Sequence, residues 1–308
     1  MRSKYTSVIP WITYVDALTE ALRVEMRRDP TVLCLAAASS NGIQRPTDEL
    51  VHEFGPSRVR EHDGGPSILA AASAAASEGM RPVCELELGA LGDADAGMFA
   101  AAVSSGALVV RLVCGSTAGG ISPGGWEALL PATPDLKIVS PATAADAKGL
   151  LISAIRDPDP VCFIESSDLY GTVIDGVPDG EHIVPLGEAR LVRQGTEIVV
   201  LAHGAAAVAA ERAAKQMPGD VGVVDLRSLR PLDRDAIVAS AKETGKVLIA
   251  EQPGAATGLA ASLVELIYEE LPQHLDAPIK DLGISPTEAL EGEWAESVTE
   301  ACRELVAF

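Results

Sequence analysis

The sequence predicts an α/β fold of two doubly wound domains, in which helices cover both faces of a largely parallel sheet. Short, continuously apolar runs alternate with helical segments, as strands buried on both faces of a parallel sheet require. The chain has 308 residues, 47% of them hydrophobic, enough for two cores of ordinary size. From about 166 to 186 these runs give way to Gly, Pro and Asp, which is typical of a linker. We therefore expect one domain over 1–185 and a second over 186–308.

The first domain opens with an amphipathic helix. Thr13 and Asp16 have the spacing of a capping box, and the apolar residues that follow recur on one helical face as far as Arg28. Apolar runs with Gly, Pro or Asp boundaries predict the other elements. These are strands at 32–37, 83–88, 107–114, 137–141 and 160–164, and helices at 48–54, 66–77, 94–105 and 142–155.

The second domain repeats the alternation of strand and helix, which predicts a further βαβ series. Its predicted elements are strands at 197–202, 221–225 and 246–250, and helices at 205–216, 233–244 and 257–270.

The charge balance argues against nucleic acid and anionic membranes as partners. Lys and Arg number 24 against 44 acidic residues, a formal net charge of -20, so the average field of the protein repels phosphates. No run of about 18 apolar residues exists, and the opening segment, interrupted by Pro10, is too short in apolar length for a signal peptide. The five cysteines are dispersed without a CxxC pair, which predicts reduced core residues, no metal site and a cytoplasmic protein.

The stretch from 60 to 83 is the centre of the first domain. Gly64 and Gly65 permit a tight turn, Pro66 suits a first helical turn, and the Ala and Ser residues up to Ser77 let the helix pack closely. An α/β protein usually binds its ligand at the carboxyl end of a strand, in the turn that leads into the next helix, and this stretch has that order of elements. A second Gly-rich segment, 116–125, follows the strand at 107–114. It fits a ligand loop, and a crossover without a ligand fits the same composition.

Several longer blocks resemble a known family. They are ITYVDALTEALRVEMRRDP at 12–30, FGPSRV at 54–59, GMRPV at 79–83, TPDLKIVSPATAADAKGLL at 133–151, AIRDPDPV at 154–161, VVDLRSLRPLD at 223–233 and TGKVLIAE at 244–251. Together they resemble the β subunit of the E1 component of 2-oxo acid dehydrogenases, which is similar to the C-terminal half of transketolases. The resemblance covers nearly the whole chain.

The resemblance implies a thiamine-diphosphate pyrimidine-binding domain followed by a transketolase C-terminal domain. It also implies that thiamine diphosphate lies between chains: the β-type chain holds the aminopyrimidine, and an α-type subunit supplies the Gly-Asp-Gly and Asn that bind magnesium and diphosphate. No such Gly-Asp-Gly occurs here. We therefore expect an α-type partner, with thiamine diphosphate and magnesium bound only at that interface; the alternative is that no cofactor binds.

The site blocks of the family are changed in this chain. The family's Gly-Glu-Asp after the first strand is replaced by alanines at 36–38, and its aromatic residues after the next strand are replaced by residues 89–93. The glutamate that protonates the aminopyrimidine in the family falls on Gly65, or on Pro66 with a shifted gap, and neither can exchange a proton. The later histidine falls near Ser122.

Two functions follow from these changes. In the first, a divergent enzyme decarboxylates 2-oxo acids or transfers ketol or acyl units with its α-type partner, and Asp63 or His62 takes over the proton transfer. In the second, the chain is a non-catalytic assembly subunit. The predicted cofactor-binding residues share positions in the turns and loops after strands. They are Gly64, Gly65, Leu88, Leu91 and Ser122.

Other polar residues have less specific interpretations. Glu85 and Glu87 alternate on one strand, so they face the same side, either towards a subunit interface or as buried acids. His203 ends a strand of the second domain, where a structural role is favoured. The small-residue helices predict self-association near a two-fold axis. No GxGxxG or Walker sequence supports a nucleotide-binding domain of another class.

Overall fold

The computed structural model describes residues 9–37, 46–47, 49–87, 95–114, 133, 135–217, 219–251, 259–283 and 293–308. The strands are β1 (Trp11–Thr13), β2 (Val32–Ala37), β3 (Val59–His62), β4 (Arg81–Glu87), β5 (Val109–Cys114), β6 (Lys137–Val139), β7 (Val161–Ser166), β8 (Ile174–Gly176), β9 (Arg190–Arg193), β10 (Ile198–Ala202), β11 (Val221–Asp225), β12 (Ser228–Arg230), β13 (Val247–Glu251) and β14 (Lys280–Gly283). The helices are α1 (Tyr14–Arg28), α2 (Leu50–Phe54), α3 (Gly65–Ser77), α4 (Asp95–Val103), α5 (Ala144–Arg156), α6 (Gly204–Gln216), α7 (Arg234–Thr244), α8 (Leu259–Glu270) and α9 (Glu293–Val306).

A seven-stranded sheet dominates the first half of the chain, in the order β12-β6-β7-β5-β4-β2-β3. Six neighbouring strands, from β6 to β3, run parallel, whereas the edge strand β12 pairs antiparallel with β6. The helices α1 and α5 pack together against one face, and α3 and α4 lie against the other. The sheet is therefore covered on both sides, as predicted for a doubly wound fold.

The first helix, α1, confirms the capping box read from the sequence. The Thr13 hydroxyl accepts a hydrogen bond from the Asp16 N–H at 3.2 Å, and the Asp16 carboxylate accepts from the Thr13 N–H. The predicted apolar face is buried against the first sheet and α5, because its residues recur every three or four positions.

A five-stranded sheet forms the second half, in the order β14-β13-β10-β11-β9. Its inner strands are parallel, and β9 is an antiparallel edge. The helices α6 and α9 cover one face, while α7 and α8 cover the other and share an apolar core with the first sheet. The predicted α/β class is confirmed.

The structure adds elements that the sequence patterns did not predict. These are the short or half-exposed strands β1, β8, β9, β12 and β14, and the helix α9. The strands were missed because strands of three or four residues carry little periodicity. Within the predicted linker, β8 pairs antiparallel with β1. The strand β12 comes from the second half of the chain but extends the first sheet.

No helix in the described part of the chain is both long and apolar enough to cross a bilayer.

Candidate functional site

The turn between β3 and α3 has the geometry that its glycines predict. Gly64 adopts a φ of +89°, in the region that favours glycine, and α3 begins at Gly65 with Pro66 in its first turn. A Cβ added to Gly64 would meet no atom within 4 Å, so the backbone of the turn can be approached closely. No side chain caps this helix end and no acidic residue lies in its first turn. Its N–H groups are thus available to a ligand.

The three polar residues before the turn differ in exposure. Glu61 and Asp63 are exposed, whereas His62 is half-buried at the end of β3. The His62 Nε2 atom is buried and has no hydrogen-bond partner among the residues that the structure describes. A buried polar atom without a partner costs roughly 1–3 kcal/mol, so its retention calls for an explanation.

The neighbouring strand end carries no acid. Ala36 pairs with Glu61 and Ala37 with His62, so small side chains lie beside the turn at the end of β2. The turn thus brings together His62, Asp63, Gly64 and Gly65, four of the predicted site positions. Leu88, Leu91 and Ser122 lie outside the described residues, and their binding roles remain predictions.

A buried ionic cluster lies inside the first sheet, on its central strands β4, β5 and β7. Arg111 on β5 donates from Nε to Glu165 Oε1 at 2.5 Å and from Nη2 to Glu165 Oε2 at 2.8 Å. Its Nη1 donates to Glu85 Oε2 at 2.7 Å. Arg111 and Glu165 are fully buried and Glu85 is only 7% exposed. Glu85 is therefore a buried acid paired within its own chain, and the favoured expectation of a subunit interface is wrong for it.

Aromatic residues complete this cluster. The Tyr170 hydroxyl donates to Glu165 Oε2 at 2.6 Å, and its ring stacks on Tyr14 at 5.9 Å between centroids. Burial alone would lower the pKa of Arg111, but the carboxylates of Glu165 and Glu85 hold that pKa well above its usual value. Burial and the Glu165 charge raise the pKa of Tyr170. The raised pKa values keep Arg111 charged and Tyr170 neutral near neutral pH.

The sequence contains a signal for this cluster. Arg111 and Glu165 are charged residues within otherwise apolar strands, VVRLVC and VCFIES. A charge in a strand that is buried on both faces needs a partner, because its desolvation is otherwise too costly. The two strands therefore predict an ion pair, although not which residues form it.

A second buried cluster joins α5 of the first half to β9 and β11 of the second. Arg227 Nη2 lies 2.6 Å from Asp146 Oδ1, and Arg190 lies 3.6 Å from Asp146 and 3.2 Å from Asp225. Burial raises the pKa of Asp225 to about 6, and the Asp146 charge adds to this effect, whereas Arg190 and Arg227 oppose it. The cluster is an electrostatic contact between the two sheets.

His203 lies at the same junction. Its Nδ1 is 3.0 Å from the Ser140 hydroxyl, and burial lowers its pKa to about 4, so the ring is neutral at pH 7. Gly204, with φ +52°, passes so close that an added Cβ would be 2.8 Å from the same hydroxyl. These contacts fit the structural role favoured for His203. The Nε2 atom of His203 is buried without a partner in the described structure.

Among the described residues, no group of three or more His, Cys, Asp or Glu side chains is arranged to hold a metal ion.

Comparison with known proteins agrees with this architecture. Residues 11–172 match the family described as "Transketolase, pyrimidine binding domain", and residues 187–299 match "Transketolase, C-terminal domain". A solved split-gene transketolase, an inactive β4 tetramer, superposes with a TM-score of 0.74 at 23% identity, covering 96% of this chain and 99% of its own. Transketolase from Leishmania mexicana superposes with a TM-score of 0.65 at 19% identity, covering 99% of this chain and 48% of its own. The fold is thus that of the transketolase-like proteins.

Sequence relatives show to which family of transketolase-like proteins the chain belongs. The pyruvate dehydrogenase E1 component subunit beta of Bacillus subtilis (strain 168) is 32% identical over 322 residues, covering 96% of this chain and 99% of the relative. The 2-oxoisovalerate dehydrogenase subunit beta of the same organism is 34% identical over 297 residues, covering 88% of each. The chain belongs to the family of E1 β-type subunits of the thiamine-diphosphate-dependent 2-oxo acid dehydrogenases. The resemblance predicted from its sequence blocks is confirmed.

Proposed function

We propose that this chain is the β-type half of a thiamine-diphosphate enzyme that decarboxylates a 2-oxo acid or transfers a two-carbon unit with an α-type partner. In this proposal the β3–α3 turn replaces the usual glutamate by His62. The observation that carries it is the buried Nε2 of His62, which has no hydrogen-bond partner among the described residues and lies at the carboxyl end of a parallel strand. Ligands bind at this end of the strands in open α/β sheets.

The residues present fit the pyrimidine side of the cofactor. Gly64 leaves the backbone of the turn open to a planar ring, and His62 Nε2 would hydrogen-bond a ring nitrogen or an exocyclic amine. The described residues include no cluster for magnesium, so we assign magnesium and diphosphate binding to the α-type partner. Thiamine diphosphate supplies, when bound, the nucleophilic carbon that such reactions need.

An imidazole is a suitable replacement for the missing carboxylate. An imidazole nitrogen can both donate and accept a hydrogen bond, so His62 can hold a proton at Nε2 and return it within a catalytic cycle. Its half-buried position limits exchange with water. Asp63 is the second candidate, but it is exposed and its carboxylate is solvated. In this arrangement His62 transfers the proton, and Asp63 influences the transfer through its charge.

Reconstitution with an α-type chain tests the proposal. The complex is assayed for release of carbon dioxide from pyruvate and from branched 2-oxo acids, and for ketol transfer. We expect His62→Gln to lower kcat by about a hundredfold or more, since this is the usual contribution of a general acid or base. Asp63→Asn should have a smaller effect.

The matched control is His52→Gln, the same substitution at an exposed position on α2. It should leave kcat unchanged. Full turnover by the His62→Gln complex, with the cofactor still required, would exclude His62 from the proton path.

A non-catalytic assembly subunit is the second candidate function. One observation favours it: the first turn of α3, which begins at Gly65, contains no acid. By the family resemblance, Gly65 is the position expected for the glutamate. A complex that assembles with the α-type chain but shows no turnover with any 2-oxo acid or ketol donor would support this reading. Turnover that is lost with His62→Gln would refute it.

A further inference from the structure

A large cleft lies away from the β3–α3 turn, between the edge strand β12 and the helix α8. It has a volume of about 580 Å³, within the size range of small-molecule sites. Both halves of the chain contribute, because Ile138 comes from β6 and the other lining residues come from β12, the segment after it, α7 and α8. The cleft was not singled out by any sequence motif.

The floor of the cleft is apolar. Ile138, Leu229, Leu259 and Leu266 line it, and each is at most 6% exposed. Their packing belongs to the core shared by the two sheets. An aliphatic group placed on this floor would be removed from water at a gain of roughly 25 cal/mol per Å².

The wall formed by α8 is negatively charged. Glu265 and Glu269 are four residues apart on the helix, both line the cleft, and both are exposed. No salt bridge to either is found in the described residues. Two like charges at this spacing repel each other on a helix. A cation bound between them would remove that repulsion.

Two arginines also line the cleft. Arg230, on β12, is half-buried and donates from Nη1 to the Thr133 carbonyl at 3.0 Å. Arg234, at the start of α7, pairs with Glu270 at 3.0 Å. A guanidinium has five N–H donors, so Arg230 can donate to a ligand carboxylate in addition to its contacts within the chain. The cleft therefore combines an acidic wall, arginines and an aliphatic floor.

We propose that this cleft binds a zwitterionic aliphatic ligand, either an amino acid or a short peptide of such residues. Its ammonium group lies between Glu265 and Glu269, its carboxylate faces Arg230, and its side chain rests on Leu229 and Leu266. The charged groups that line the cleft would recognise either ligand, and its volume accommodates either one. The site is separate from the β3–α3 turn, so this proposal does not depend on the proposed function.

Isothermal titration of the full chain tests the site with L-leucine and L-leucyl-L-leucine as probes. We expect saturable binding of at least one of the two probes. The probe that binds more tightly shows whether the ligand is a free amino acid or a short peptide. Two analogues, 4-methylpentanoate without the ammonium group and 3-methylbutylamine without the carboxylate, should bind about tenfold more weakly or worse, because each loses one charge-assisted contact.

The double variant Glu265→Gln/Glu269→Gln should weaken binding of the probe about tenfold or more. Its matched control is Glu296→Gln/Glu300→Gln, which removes two exposed glutamates at the same spacing on α9, outside the cleft. The control should bind like the wild type. Circular dichroism and the melting temperature confirm that each variant is folded. No binding of either probe at millimolar concentration would overturn the proposal. So would equal binding of the analogues, or binding that is indifferent to the α8 glutamates.

Discussion

Arg111 and Glu165 are joined by two parallel hydrogen bonds between neighbouring strands of the first sheet, at 2.5 Å and 2.8 Å, and neither side chain is exposed to solvent. A second carboxylate, Glu85, binds the same guanidinium from the other side. The cluster is stable only as a unit, because each charge depends on the others for its solvation.

Arg111→Met should therefore destabilise the protein strongly. It leaves two buried carboxylates without their cation, which costs about 3–5 kcal/mol of the free energy of unfolding. Urea unfolding followed by circular dichroism measures this change. The control is Arg234→Met, which removes an arginine whose ion pair with Glu270 is about half exposed and should change stability by about 1 kcal/mol or less. Equal effects of the two substitutions would contradict this account.

Asp225 should make stability depend on pH in an unusual direction. Its pKa is about 6 in the folded protein, above the ordinary value, mainly because of burial. As the pH falls from 7 towards 4, folded Asp225 binds a proton before the unfolded chain does, so this group's contribution to stability rises. Above pH 6 the cost of burying its charge is fully present, on the order of 3 kcal/mol.

Asp225→Asn removes this titration. We expect its stability relative to the wild type to be highest at pH 7 and to decline as the pH is lowered through 6. Chemical unfolding at a series of pH values measures the difference in the free energy of unfolding between variant and wild type. The contributions of other titrating groups, such as His203, are common to both proteins and cancel. Asp220→Asn, at an exposed position, is the control and should differ from the wild type by the same amount at every pH. A constant difference for Asp225→Asn as well would show that burial does not shift the pKa.

Self-association through the small-residue face of α3 remains a prediction, which the structure makes more specific. Ala74 is exposed on the outer face of α3, whereas Ala75 is half-buried against the core, so Ala74→Leu changes an interface without disturbing the fold. Overpacking a close helix contact should shift the sedimentation profile towards smaller species. Ala261→Leu, at an exposed position on α8, should not. A wild-type chain that sediments as a monomer both alone and with an α-type chain would refute the prediction.

Restoring the acid by Gly65→Glu should not confer activity on an inactive complex. In the proposed function the alanines at the end of β2 stand in place of a further acidic block of the family, and catalytic groups that act together do not contribute additively. Carbon dioxide release by the reconstituted variant is the measurement. Turnover at a rate comparable to that of an E1 enzyme would mean that the absence of this one carboxylate alone accounts for the lack of activity.

The isolated chain should not bind thiamine diphosphate tightly. Most of the charge on this cofactor is on its diphosphate, and magnesium with its ligands neutralises that charge. Titration calorimetry with magnesium and thiamine diphosphate should therefore show no micromolar binding until an α-type chain is added. Micromolar binding by the chain alone would contradict the division of the site between two subunits.

Most of the fold could be predicted from sequence because its inner strands are continuous apolar runs. Val109–Cys114 and Ile198–Ala202 are buried along their whole length, so their pattern reports their position in the sheet. The open backbone of the β3–α3 turn was also predictable, since Gly64 needs a positive φ and Pro66 starts a helix. These are local properties, which short stretches of sequence determine.

Tertiary structure alone decided which distant residues meet. Ser228–Arg230 is too short to predict as a strand, and it extends the first sheet only because packing brings it beside β6. Arg111 is 26 residues from Glu85 and 54 from Glu165, so the order of the strands, rather than any local pattern, makes them partners. The cleft between β12 and α8 has the same origin. A parallel sheet brings together residues that are far apart in the chain, and the register that pairs them is set by the packing of the whole core.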